Sequence, residues 1–247
     1  MRIKCIVSYD GTDFFGWQIQ PNHRSVQEEI QQALFKITGT DITVHSSGRT
    51  DAKVHAIKQV FHFDTDKDLQ EKQWKRALNH FLPPDVYIID SMHVSEDFHS
   101  RYSAKSKQYR YRLSVNPYDP FQRNYVYQYG GMYPGHTLDV ELMRECTKIF
   151  LGKHDFASFC VYDQYGNTIR ELYRFDIKEK DGEITFILEG NGFRRYMVRH
   201  LVGGVIQVGA HRRTIEDMKT LLDSKGEKKC LFKAEPQGLY LWEVLYE

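Results

Sequence analysis

The chain has 247 residues, 41% of them hydrophobic and 14% aromatic, enough to bury a core in one large domain or two smaller ones. Its formal net charge is only +1, so bulk charge announces neither a nucleic acid nor a membrane surface as partner. It has no run of about eighteen apolar residues, no signal-peptide core and no C-x-x-C pairing among Cys5, Cys146, Cys160 and Cys230, so a cytoplasmic protein with reduced thiols, no membrane span and no zinc site is expected.

Residues 2–9 alternate apolar and polar and predict a strand. Ser25 and Glu28 read as a capping box, opening a helix whose Val26, Ile30, Ala33, Leu34 and Ile37 share one face. Strands follow near 42–46 and 59–64, then a helix at about 70–82 that must stop before Pro83-Pro84, then a strand at 86–90. The second half starts with a strand at 108–115 and a helix at about 138–151 that ends at Gly152. Strands at 171–179 and 183–189 flank Asp181-Gly182, a hairpin signal. Helices at about 195–209 and from Thr214, where Asp217 completes a second capping box, lead to a last strand at 238–246. The polar, aperiodic stretch near 95–107 is the natural boundary, and no low-complexity linker follows it. The expected fold is α+β, two similar halves (1–105 and 106–247) sharing an extended, mainly antiparallel sheet backed by helices.

The segment Gly48-Arg49-Thr50-Asp51-Ala52-Lys53-Val54-His55-Ala56 lies between two of these strands, where a rigid scaffold can hold chemistry still. A carboxylate next to a guanidinium is kept ionised and oriented, which suits Asp51 as a nucleophile with Arg49 as its partner. On local chemistry alone a structural Arg–Asp pair closing a turn is the commoner arrangement. Two basic groups accompany the loop. Arg101, Lys105, Lys107, Arg110 and Arg112 interleave with Tyr102, Tyr109 and Tyr111; Arg194, Arg195, Arg199, His200, His211, Arg212 and Arg213 form the second. Cations neutralise phosphates and aromatics stack on unpaired bases, the pairing that looped RNA requires; a solvated face with sheet tyrosines is the alternative. Asp51 and His55 lack a third metal ligand, and the glycines of 203–209 lack the GK[ST] ending of a phosphate loop, so they serve close helix packing.

Gly48 to Ala56 resembles the signature loop of the bacterial tRNA pseudouridine synthase A family, G-R-T-D-A-G-V-H-A. The resemblance continues in order through Tyr9 to Gln18, Arg24 to Glu28, Asp97 to Ala104 with Tyr109-Arg110-Tyr111, Asp155 to Phe159, Phe193 with Met197-Val198-Arg199, and Gly238 to Leu241, so it covers essentially the whole chain. It implies two halves facing each other across a basic cleft, and a homodimer that binds tRNA across both subunits. The implied activity is isomerisation of uridine to pseudouridine at positions 38 to 40 of the anticodon stem-loop, with no cofactor and no metal.

Residue by residue, the resemblance makes Asp51 the catalytic carboxylate, acting at sugar C1′ or at base C6. Arg49 pairs with it and holds open the gap left by the extruded nucleotide, and Tyr109 lies against the target base as general base. Arg199 is a second partner for Asp51, and Arg101, Lys107 and Arg110 join it in binding substrate. Two departures stand out: Lys53 replaces the pattern's second glycine, and Ile19 replaces an arginine after Gly16-Trp17-Gln18. They leave open a shifted substrate range, or a non-catalytic RNA-binding or tRNA-folding protein on the same scaffold.

Overall fold

The computed structural model describes residues 1–161 and 166–247. In chain order the elements are β1 (Arg2–Tyr9), α1 (Val26–Thr38), β2 (His45–Ser46), β3 (His55–Asp64), α2 (Glu71–Phe81) and β4 (Val86–Val94). They continue with β5 (Ser106–Ser114), β6 (Tyr127–Gln128), α3 (Tyr129–Met132), α4 (Val140–Thr147), β7 (Gly152–Asp155), β8 (Ile169–Lys180), β9 (Glu183–Gly190), α5 (Met197–Gly209), α6 (Ile215–Asp223) and β10 (Leu239–Leu245). The chain divides into two compact units: Met1–Lys105 with Tyr240–Glu247, and Ser106–Leu239. The last strand, placed in the second half from sequence, thus packs in the first unit.

In the first unit the strand order is β4-β1-β3-β10, with β2 beside β3. All these pairings are antiparallel except β10 with β3, which run parallel with Tyr240 opposite His55. Period-2 alternation on β1 buries Ile3, Cys5, Val7 and Tyr9, while β3, the inner strand, is buried on both faces from Gln59 to Phe63. Helix α1 begins where the Ser25 hydroxyl accepts the Glu28 N–H and ends at Gly39 with φ +76°. Only the serine half of the expected capping box is formed. Helix α2 buries Trp74 and Leu78 and lies along the edge strand β4, where the Asn79 side chain brackets the Ile88 peptide (N–H to Oδ1 2.7 Å, Nδ2 to O 2.9 Å).

In the second unit the order is β5-β9-β8-β7, antiparallel throughout, with β6 alongside β5. The Asp181-Gly182 turn joining β8 to β9 has φ +52° and +75°, the two positive angles of a tight hairpin. The expected helix at 138–151 is shorter: α4 ends at Thr147 and passes through one 3₁₀ turn into β7, whose first residue Gly152 takes φ +87°. The glycines of α5 admit close neighbours as expected: a Cβ on Gly203 would meet the Phe232 carbonyl oxygen at 2.5 Å, and one on Gly209 the Met143 sulfur at 2.3 Å. At the start of α6, Thr214 and Asp217 form the predicted reciprocal capping box. All four cysteines are buried free thiols, and burial pushes Cys230 up to about 11.

Candidate active site

The loop between β2 and β3 is built on a lattice of buried polar contacts. Ser47 donates its N–H to the Val60 carbonyl (2.8 Å) and its hydroxyl to Gln59 Oε1 (2.5 Å), while Gln59 Nε2 donates to the Gly48 carbonyl (2.8 Å). The Thr50 hydroxyl lies 2.8 Å from the Tyr9 hydroxyl, both buried. From the segment after β1, Trp17 N–H donates to the Thr50 carbonyl at 3.1 Å, and Phe14 supplies the carbonyl that accepts Lys53 N–H at 3.1 Å. Gly16 takes φ +92° and presses so close that a Cβ there would stand 2.5 Å from the Thr50 oxygen. His55 Nδ1 lies 3.0 Å from the Gly11 N–H and 3.2 Å from the Asp10 carboxylate, and the His55 ring stacks on Tyr240 at 4.7 Å because parallel pairing sets the two residues opposite each other. The Gly48 and Thr50 carbonyls and the Lys53 N–H, on either side of Asp51, are thus held by neighbouring segments.

Asp51 itself is half-buried at the head of a four-residue turn, its carbonyl accepting Val54 N–H at 3.2 Å. The third residue of that turn is Lys53 with φ +64°, a conformation that favours glycine. The departure from the signature thus falls where the backbone does require a positive φ, and the turn still closes. Arg49 is exposed, with its guanidinium open to solvent.

Of the remaining predicted residues, Arg101 lies in the first unit and Lys107, Tyr109, Arg110 and Arg199 lie in the second. Tyr109, on β5, is 7% exposed, with its ring edge-on to Phe193 at 5.1 Å. Arg199, on α5, is also 7% exposed; its Nε donates to the Ala234 carbonyl (2.7 Å) while Ala234 N–H donates back to the Arg199 carbonyl (3.0 Å). A buried guanidinium tied by its Nε to a backbone carbonyl is a fixed charge rather than a surface contact. Tyr196, at φ +64° just before α5, is ringed by cations: Lys233 at 4.5 Å, Arg195 at 4.8 Å and Arg199 at 5.5 Å from its ring.

Both basic groups read from sequence are divided by the fold. Strand alternation puts Lys107 on the Tyr109 side of β5 but Arg110 and Arg112 on the other, where Arg110 donates to Gln108 Oε1 (3.2 Å) and Arg112 forms a bidentate pair with Glu183 (both 2.8 Å). Arg101 and Tyr102 stay exposed on the turn that precedes β5. In the second group, the thirteen residues of α5 separate Arg194 and Arg195 from His211, Arg212 and Arg213 by roughly 20 Å of helix. The lattice of Tyr9, Gly16, Gln59 and Tyr240 was missed in the sequence because its members are long-range contacts; only the motif Tyr9 to Gln18 hinted at it.

A family model described as tRNA pseudouridine synthase matches residues 5–103 and 147–247. The chain belongs to that family. It is 45% identical to a tRNA pseudouridine synthase A of Geobacillus sp. (strain WCH70), over 100% of this chain and 98% of that one. Similar matches are tRNA pseudouridine synthase A 1 of Bacillus cereus (strain ATCC 14579) at 44%, covering 99% and 98%, and the synthase A of Oceanobacillus iheyensis at 43%, covering 100% and 97%. Asp51, Arg49, Arg101 and Arg199 fall inside the matched segments; Lys107, Tyr109 and Arg110 fall between them and are covered by the full-length relatives. No helix among the described residues is long and apolar enough to cross a membrane.

Proposed function

We propose that this chain isomerises uridine to pseudouridine at positions 38 to 40 of the tRNA anticodon stem-loop. The bond between C1′ and N1 breaks, the base turns, and a bond between C1′ and C5 forms; C5 gives up its proton to a base and N1 takes one up, so the formula is unchanged and nothing is oxidised or reduced. Asp51 supplies the carboxylate that attacks during this exchange, and the observation that carries the assignment is its placement on a half-buried turn held on both sides, by Trp17 N–H on the Thr50 carbonyl and by the Phe14 carbonyl on Lys53 N–H. Arg49, exposed to solvent, fits a side chain that enters the gap left by a flipped nucleotide. Tyr109 is the general base against the target uracil, edge-on to Phe193, and Arg199 supplies a fixed positive charge for the carboxylate. Arg101, Lys107 and Arg110 contact substrate, with Arg110 on the far face of its strand serving backbone phosphate rather than base. The first half carries the nucleophile and the second the base-facing residues, in a cytoplasmic homodimer that shares each tRNA between subunits.

Lys53 bears on the rival, binding-only reading. The turn keeps both its hydrogen bonds around Lys53, so the substitution strains the loop without opening it, which favours turnover. The test follows tritium released from uridine C5 of unmodified tRNA. Wild type should release it and map it to the anticodon arm, and Asp51→Ala should release none while binding tRNA. Binding without release by wild type would sink the proposal.

A further inference from the structure

Helix α2 presents a surface that the reaction does not use. Trp74 and Leu78 point inward, and Lys72 and Arg76, at i and i+4, form an exposed pair of cations on the outer face. Like charges at this spacing weaken a helix; the exposed Glu71 stands at the head of the same helix, yet among the described residues neither Lys72, Lys75 nor Arg76 enters an ion pair. Beside this pair lies an open, shallow surface lined by Gln73, Lys75, Arg76, Asn79, Phe81 and Tyr87. Tyr87 is 51% and Phe81 39% exposed, and each has a lysine ammonium over its ring: Lys75 at 5.8 Å and Lys36 at 5.9 Å. With a chain charge of only +1, this concentration of cations is local rather than average.

We propose that this face of α2 and β4 is an accessory RNA-binding surface, taking the phosphate backbone of the tRNA on Lys72 and Arg76 and an unpaired base against Tyr87. The inference rests on the reading that the chain works on tRNA. Cations without ion-pair partners suit a polyanion, and exposed aromatic rings, each with an ammonium over one face, leave the other face for a stacked base. A peptide that adds as a strand is disfavoured, because Asn79 already satisfies the Ile88 peptide at this edge.

The test measures binding of labelled, unmodified tRNA to the full-length protein over a range of salt, for wild type, Lys72→Gln/Arg76→Gln and Tyr87→Ala. The double variant should bind about tenfold more weakly at low salt, with its log–log salt slope reduced by about 2. Tyr87→Ala should weaken binding about fivefold or more with the slope unchanged. Both should keep wild-type thermal stability and turnover at saturating tRNA. Unchanged affinity and slope in both variants would overturn the surface and leave the enzyme reading intact. Wild-type protein that binds tRNA but releases no tritium would do the reverse.

Discussion

Tyr9 and Thr50 meet through their hydroxyls at 2.8 Å, in a place from which water is excluded, one residue before the carboxylate assigned to attack. Tyr9 ends β1, a strand paired on both sides, so the bond ties the residue before Asp51 to the sheet of the first unit. Tyr9→Phe should cost about 1–2 kcal/mol, because the Thr50 hydroxyl is left buried with one partner fewer. Turnover should fall with little change in KM, since the loop and not the RNA surface is loosened. Denaturant midpoints and steady-state kinetics would check both, and a variant with wild-type kcat would show that the bond does not position the loop.

Gly16→Ala should be more severe. The methyl group would stand 2.5 Å from the Thr50 oxygen, on a backbone at φ +92°. Strain and displacement together should exceed about 2 kcal/mol. Thermal unfolding would report the loss, and an unshifted melting temperature would mean that the loop yields freely.

Lys53→Gly tests the opposite direction. At φ +64°, glycine removes a Cβ penalty of about 1–2 kcal/mol but restores some freedom to the unfolded chain, so the net gain is at most about 1 kcal/mol. Activity should persist. A destabilised variant would show that the lysine side chain has a stabilising role that the strain does not outweigh.

His62 should make stability pH-dependent. Burial, with His99, Arg2 and His45 nearby, lowers it from 6.5 to about 4, and its Nδ1 accepts Ser100 N–H at 3.2 Å. Between those values the unfolded chain binds a proton that the native state refuses. Stability therefore declines as pH falls from about 6.5 to about 4 and then levels off, by on the order of 3 kcal/mol. His62→Asn keeps an acceptor and should flatten that part of the profile; an identical slope in the variant would place the titration elsewhere.

Much of this protein was legible without coordinates wherever the determinant is local. Alternation on residues 2–9, the Thr214–Asp217 box, the Asp181-Gly182 hairpin and the stop before Pro83 each depend on a few neighbouring residues, and each is found where the sequence places it. The signature loop with Asp51 was visible for the same reason, as an ordered run of residue types. Tertiary structure decided what depends on distant partners. That β10 returns to lie parallel to β3, stacking Tyr240 on His55, follows from pairing across more than 180 residues. Strand alternation, invisible in a count of charges, turned Arg110 and Arg112 away from Tyr109, and helix length split the second basic group. Short strands such as β6 and β7 have too few residues to show a period of their own and exist because a neighbour accepts their hydrogen bonds. Sequence by itself thus determined which residues can do chemistry, while long-range packing decided which of them are held still, which are buried and which face the solvent.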